Sequence, residues 1–182
     1  MLDVWTFLQQ SAGDGFLAAR EDGRLLGYAL FVPSLRAVQR RAILSGAALR
    51  WALRALSGQY DMRLRGLLRT LQNKVFFLFQ GQRFRTAGDA QLLNVAVDPV
   101  AQGRGIAKRL LDAGMKTMRA MQIPEVRLEV RPWNTPAVAL YRGSGWREAG
   151  RTRDLDGEWI VMVASPSVTL SFSKRRVHSS RS

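Results

Sequence analysis

No cysteine occurs among the 182 residues. Disulfides and thiolate metal sites are therefore excluded, and a cytoplasmic setting is the expectation. Histidine is nearly absent as well: His178 is the only one, and it lies in a polar tail. A Ser-His-Asp triad would rest on that one tail residue and a multi-histidine metal site has no second histidine, so neither is expected and chemistry without a metal is. Nor does any stretch approach the 18 or so uninterrupted apolar residues of a membrane span. The nearest, "AILSGAALRWALRAL" at 42–56, is broken by Arg50 and Arg54. At the start, Asp3 stands where an export signal would be basic.

Acid is also scarce: 14 Asp and Glu face 28 Lys and Arg, for a net charge of +14. The excess is concentrated. Residues 34–75 hold nine basic residues against Asp61 alone, and the tail 165–182 holds Lys174, Arg175, Arg176 and Arg181 with no acid. The rest is near neutral, so two appendages carry the basic character, of a kind that attracts phosphates, acidic lipids or nucleic acid. With 47% hydrophobic residues and a length of about one domain, a single globular unit is expected over 1–164.

"GFLAARED" and "RLLGYALFV" read as two strands joined at Asp22-Gly23, a hairpin signal. Pro33 ends the second. Residues 34–88 then form a Leu/Ala/Arg-rich insertion, with Arg four apart at 36/40, 50/54 and 65/69. That spacing puts charge on one helix face and predicts two or three short helices, broken near Ser57-Gly58 and Gly66. "VFFLFQ" at 75–80 fits either a strand or a helix end. "AQLLNVAV" (90–97) reads as a strand, 104–121 as a helix with Leu110, Leu111, Met115 and Met118 on one face, and "EVRLEV" (125–130) as an alternating strand. "TPAVALYRG" (135–143) reads as a helix with Pro136 in its first turn and Gly143 ending it. "GWREAGRT" and "GEWIVMV" look like closing strands, and the Ser-rich basic tail 165–182 is expected to be loose. The expected class is α/β (α+β), with a mixed, mostly antiparallel sheet, at least one parallel pairing, flanking helices and a helical insertion.

The chemistry centres on "VDPVAQGRGIAKRLL" (97–111). A strand running through a glycine loop into a helix aims free backbone N–H groups at one point, and a helix N-terminus binds anions. Gly103 and Gly105 remove side chains that would hold a diphosphate away, and Arg104 and Lys108 add charge. The loop is neither a P-loop nor a dinucleotide fingerprint. From spacing alone, a glycine turn that merely starts a helix is an equal reading.

The segment resembles the GCN5-related N-acetyltransferase (GNAT) family. Gln102-Gly103-Arg104-Gly105-Ile106-Ala107 is similar to that family's cofactor motif, Gln or Arg, two residues, Gly, one residue, then Gly or Ala, and it follows "NVAVDP". "LEVRPWNTPAVALYRGSGW" (128–146) is similar to its second signature. Over 90–163 the likeness is nearest to the branch that acetylates the N-terminal amine of a ribosomal protein. The resemblance implies acetyl-CoA as co-substrate. It implies that Val95, Ala96 and Val97 line the pantetheine arm, with the Val97 N–H facing the thioester carbonyl. It implies that Gly103, Arg104, Gly105, Ile106, Ala107 and Lys108, with Gln102, hold the pyrophosphate. Asn134 would contact the pantetheine, Tyr141 would lie near the sulfur as acid, and Glu129 would be the base. Each has a plainer role beside it: Glu129 a solvated charge among Arg127 and Arg131, Tyr141 a packing aromatic, Asn134 a helix cap. Trp133 and Trp146 are expected to be packing residues.

Two departures from the family stand out. Only about 14 residues precede the hairpin, where the family has a strand and helices. The insertion at 34–88 is atypical and should sit near the acceptor side, so the branch's own substrate does not carry over. The expected reaction is acetyl transfer to a primary amine by direct attack. Possible acceptors are an amino sugar or nucleotide-linked amino sugar, or a protein N-terminal or lysine amine. The arginines of 34–75 have three readings: an extra packing layer, a lid for a phosphate-bearing acceptor, or a contact with an anionic membrane surface, peripheral to it. The rival class is a basic nucleic-acid- or membrane-binding protein with an inert acetyltransferase-like domain, although no nucleic-acid motif is present. Exposed sheet edges make a homodimer an option.

Overall fold

The computed structural model describes residues 2–46, 88–154 and 156–166. Helix α1 (Leu2–Ala12) leads through a short 3-10 turn to β1 (Phe16–Glu21) and β2 (Arg24–Val32). Helix α2 (Leu35–Leu44) follows, then β3 (Gln91–Val97), α3 (Ile106–Ala120), β4 (Val126–Val130), α4 (Thr135–Gly143), β5 (Arg147–Asp154) and β6 (Gly157–Ala164). The strands lie in the order β1-β2-β3-β4-β6-β5. Every pairing is antiparallel except β3 with β4. The expected mixed, mostly antiparallel sheet is thus the observed one.

Local rules account for most boundaries. The β1–β2 turn uses Asp22 and Gly23, both with positive φ, as a two-residue hairpin requires. Pro136 occupies the first turn of α4, where no N–H is missed. That helix ends at Gly143 as expected, but the left-handed residue that stops it is Gly145 (φ 86°). Trp146 N donates to Tyr141 O at 3.0 Å and Gly145 N to Arg142 O at 3.1 Å, the paired bonds of a Schellman stop. The opening segment is the main surprise. It forms α1, whose side chain Phe7 packs with Leu30, Val32 and Val38. A segment this short gave no readable period.

Two apolar layers flank the sheet. On one face Ala29 and Phe31 of β2, Leu92 of β3, Leu128 and Val130 of β4 and Met162 of β6 pack with α3 and α4. On the other, Leu30 and Val32 pack with α1 and α2. Both crossovers, β3-α3-β4 and β4-α4-β5, advance in the same direction across the sheet. Right-handed connections then put α3 and α4 on one face, as the packing shows. Apolar residues of α3 recur at Ile106, Leu110, Leu111 and Met118, all buried, the stripe expected of a helix lying on a core.

The insertion is tied at its root. Ser34 Oγ donates to Asp89 Oδ2 at 2.8 Å, Arg36 N donates to the same oxygen at 2.8 Å, and Leu35 N donates to Asp89 O at 3.1 Å. Ser34 also caps α2 through Ala37 N. Arg36 and Arg40 are exposed on α2, as their spacing predicts. The expected helices beyond residue 46, the "VFFLFQ" segment and the tail from 167 onward lie outside the described residues.

Gly114 shows how tightly α3 is seated. A Cβ there would stand 2.0 Å from Phe31 Cε2, and Phe31 is fully buried. Helix propensity alone favours Gly114→Ala by roughly 1 kcal/mol, but overpacking of a filled core costs about 1–3 kcal/mol. Gly114→Ala should therefore lower the urea midpoint, while the same change in a Phe31→Leu background should be neutral or stabilising. Equal stabilisation in both backgrounds would show that α3 is not pressed onto Phe31.

Candidate functional site

The site begins where a strand pair stops pairing. β3 and β4 meet at one register position, Gln91 opposite Arg127, with Arg127 N donating to Ala90 O at 3.0 Å. Beyond it the two strands part. A bulge at Leu93 contributes to the divergence: Leu30 opposes Asn94 and Phe31 opposes Leu92, leaving Leu93 over. Bulges bend a strand and shift its side-chain phase. This explains why Leu92 and Val95, three apart, both face α3, while Leu93 faces the other layer.

Parting leaves backbone donors on the β4 side of β3. Asp98 N donates to Leu26 O at 2.8 Å, and residues 94–97 pair in unbroken register with β2. Alternation then points the N–H groups of Val95 and Val97 away from β2, into the gap. Ala96 presents its backbone to β2 instead. The Val97 carbonyl shares the gap, and Gln102 Nε2 donates to it at 3.3 Å. Gln102 therefore fastens the loop back onto β3.

That loop is built on Asp98. Its side chain accepts from Val100 N at 3.1 Å and from Arg24 at 2.8 Å, and these two bonds hold its carboxyl below the ordinary range. Gly103 (φ 76°) and Gly105 (φ 73°) then turn the chain in the left-handed region, which β-carbon-bearing residues adopt only with strain. A Cβ on either would meet nothing within 4 Å, so the space above both is open. Gly105 is the N-cap of α3 and supplies no side-chain cap. The helix starts at Ile106, two residues later than its sequence pattern suggests, and Ile106, Ala107 and Lys108 form its first turn. Their N–H groups precede the first intrahelical acceptor, so they face the open loop with the positive end of the helix dipole.

The two basic side chains of this loop are engaged. Arg104 donates to Glu21 at 2.6 Å, and Lys108 to Asp112 at 2.8 Å. The Arg104 guanidinium holds the Glu21 carboxyl below its usual range, and Glu21 in turn raises Arg104. The cradle is therefore a backbone device, with its cations balanced by neighbouring carboxylates.

The β4 wall carries the other selected residues. Val126, Leu128 and Val130 are buried against α3 and α4, and Arg127 and Glu129 point to the opposite face, as their alternation predicts. Glu129 Oε1 accepts from Arg127. Glu129 is neither freely solvated nor alone: it is a mostly buried carboxylate beside the last bridge between β3 and β4. Asn134 caps α4, its Oδ1 accepting from Ala137 N at 3.3 Å. Tyr141 packs on the helix-face core with its ring 6.0 Å from that of Trp146, and burial pushes its phenol above the ordinary range. Trp146 is buried, as expected, but Trp133 is 77% exposed. The expectation that Trp133 packs is not met: the loop lifts it off the sheet end, where it stands exposed among the described residues.

Sequence reading missed one cluster. Arg131 lies 3.8 Å over the Trp159 ring and pairs with Asp154 at 3.3 Å, while Trp159 Nε1 donates to Asp154 at 2.8 Å. Arg131 also donates to Glu158 O at 3.3 Å. These contacts clamp the end of β4 to the β5–β6 hairpin. An arginine two residues beyond Glu129, with a Trp in a neighbouring strand, was the available signal.

The family model for acetyltransferases of the GNAT family matches residues 1–146. This chain belongs to that family. As a GNAT protein it is 46% identical over 55 residues to a mycothiol acetyltransferase of a Nocardioides species, a match covering 30% of this chain and 19% of that protein. It is 35% identical over 94 residues to the bS18-alanine N-acetyltransferase of Salmonella typhimurium, covering 42% of this chain and 64% of the relative. The chain thus spans about a fifth of the first and under two thirds of the second. Among solved structures, SsHAT superposes with a TM-score of 0.66 at 18% identity, covering 90% of this chain and 78% of that one. The Escherichia coli ribosomal-protein-S18-alanine N-acetyltransferase does so at 0.52 and 18%, covering 94% and 81%. These structures share the GNAT fold.

The Asp154 cluster titrates. Burial opposes ionisation of Asp154, but hydrogen bonds from Trp159 Nε1 and Asp156 N and the charge of Arg131 outweigh it, so its carboxyl sits below the ordinary range. A depressed carboxylate contributes stability above its unfolded pKa of about 3.9, lost as pH falls through the folded value. Asp154→Ala should cost about 2–4 kcal/mol at pH 7 by stranding Arg131. Near pH 3 the gap from the unaltered protein should narrow. Urea titrations giving the same gap at both pH values would refute the ionic account.

Proposed function

We propose that this chain moves an acetyl group from acetyl-CoA to a primary amine by direct attack. One observation carries this: the parting of β3 and β4 leaves the Val95 and Val97 N–H groups without a partner among the described residues, beside an open glycine cradle at the N-terminus of α3. The cradle fits the group. Gly103 and Gly105 leave room for a diphosphate at their backbone, and the first-turn N–H groups supply donors. Gln102 through Lys108 would hold the diphosphate, and Val95 to Val97 and Asn134 the pantetheine arm. Asn134 keeps its amide NH2 for that contact while its Oδ1 caps α4.

Acetyl-CoA supplies the thioester whose C–S bond breaks. The residues do the rest. An alkyl amine is mostly charged near pH 7 and attacks only when neutral. Glu129 takes its proton through Oε2, since Arg127 engages Oε1 and so fixes the carboxylate's orientation. The Val97 N–H, fixed by the ladder with β2, donates to the carbonyl oxygen as negative charge develops on it. Tyr141, kept protonated by burial, gives its proton to the departing thiolate. The nitrogen–carbon bond forms and the carbon–sulfur bond breaks; of the two protons the ammonium loses, one goes to Glu129 and the other returns to the phenolate left when Tyr141 protonates the thiolate.

The acceptor enters from the face opposite α3 and α4, where Glu129 points and α1 and α2 pack. Exposed Arg36 and Arg40 of α2 support an acceptor bearing phosphate, such as a nucleotide-linked amino sugar. The relative named for a ribosomal-protein alanine supports a second reading, a peptide N-terminal amine. A thiol-release assay with acetyl-CoA and amino sugars, nucleotide-linked amino sugars, polyamines and peptides separates them. An absence of thiol release with every amine tried, together with tight nucleic-acid binding, would favour the binding-module class.

Two variants test the machinery. Gly105→Glu places a carboxylate in the cradle, so calorimetry should show no coenzyme A binding; normal affinity would mean the diphosphate lies elsewhere. Tyr141→Phe should reduce kcat by roughly a hundredfold with the acetyl-CoA KM little changed, and unaltered turnover removes the acid role.

A further inference from the structure

We infer that Trp133 is a stacking platform for the adenine base of coenzyme A, an inference that rests on the diphosphate cradle proposed above. Trp133 is 77% exposed, a large apolar surface left in water on a loop that is otherwise firmly held. Before it, Arg131 is clamped by Asp154, Trp159 and Glu158 O, and Asn134 N donates to Arg131 O at 3.0 Å, closing the turn. Pro132 restricts the backbone. After it, Asn134 caps α4. The indole is therefore presented from a fixed backbone, which lowers the ordering cost of a stacked ligand.

Position selects the ligand. β3 and β4 run parallel, so the loops at their C-terminal ends, 98–105 and 131–134, stand at the same end of the sheet on either side of the gap. α3 and α4 both return over the same face, so the two helix N-termini are neighbours there. A diphosphate at the α3 N-terminus would hold its nucleoside at this same end of the sheet, where Trp133 offers an exposed indole. The acceptor amine approaches from the other face, past Glu129, and does not meet the indole. An adenine presents a flat π surface, and base–aromatic stacking is strong enough to matter for affinity.

The test compares coenzyme A with 4′-phosphopantetheine, which lacks the adenosine and its 3′- and 5′-phosphates, by calorimetry or competition. Trp133→Ala should weaken coenzyme A about tenfold to a hundredfold while leaving 4′-phosphopantetheine unchanged. Trp133→Phe should recover most of the loss. Because the side chain is exposed, the melting temperature should not move. Equal weakening of both ligands, no weakening of either, or a change confined to the acceptor KM would each overturn the assignment. If the unaltered protein binds neither ligand, or Gly105→Glu binds coenzyme A normally, the cradle itself is wrong. If the cradle variants behave as expected and only the Trp133 ratio stays flat, the platform alone fails.

Discussion

Everything at this site depends on two parallel strands that pair once and then separate. A buried backbone N–H must find a partner or cost free energy. In a continuous sheet β4 would satisfy β3. Here the ladder ends at Gln91 and Arg127, and the N–H groups of Val95 and Val97 are left for something else. Each wall of the gap is held from outside. β2 fixes β3 through six register pairs. On the far side β6 fixes β4 through five, and Arg131 locks its end to the β5–β6 turn. The donors are thus preorganised by interactions that have nothing to do with the ligand, as electrostatic stabilisation of a developing charge requires.

Much of this was legible from residues alone. Strand alternation in "EVRLEV" put Glu129 and Arg127 opposite Val126, Leu128 and Val130, and the burial pattern agrees. Asp22-Gly23 announced its turn, and Gly103 and Gly105 announced theirs, because a positive φ leaves a compositional mark. What stayed hidden has no such mark. The bulge at Leu93 depends on how β3 meets β2, and nothing in "QLLNVAV" signals an extra residue. The clamp of Arg131 on Asp154 and Trp159 joins positions more than twenty residues apart, and it exists only once β4 and β6 are neighbours. Trp133 misled for the opposite reason: a tryptophan reads as core, and only the placement of its loop shows that no core reaches it.

The insertion does little to disturb this arrangement because of where it is rooted. Ser34 and Asp89, its two borders, bond directly to one another. The chain leaves the sheet after β2 and returns to it before β3 at a single point, so the β2–β3 ladder forms as if the connection were short. Loop-closure cost grows only slowly with length, and a bonded root removes the rest of the constraint. This is why the family pattern in 90–163 survives an interruption that the sequence makes conspicuous. It also leaves α2, with Arg36 and Arg40 exposed, on the face toward which Glu129 points.

Charge follows the same division of labour. A chain with a net charge of +14 invites the reading that cations bind the diphosphate. Yet Arg104 and Lys108, the two that flank the cradle, are bonded to Glu21 and Asp112. Both pairs are about half exposed, so they add little to stability, but Arg104 ties the loop to β1, while the Lys108 pair lies within α3. A backbone cradle discriminates by shape, since its N–H groups converge on one point, whereas mobile side-chain cations accept any anion within reach. With the nearest cations paired, the converging donors of this loop are the first-turn N–H groups of α3. Arg36 and Arg40 of α2, by contrast, stand exposed on the opposite face of the sheet.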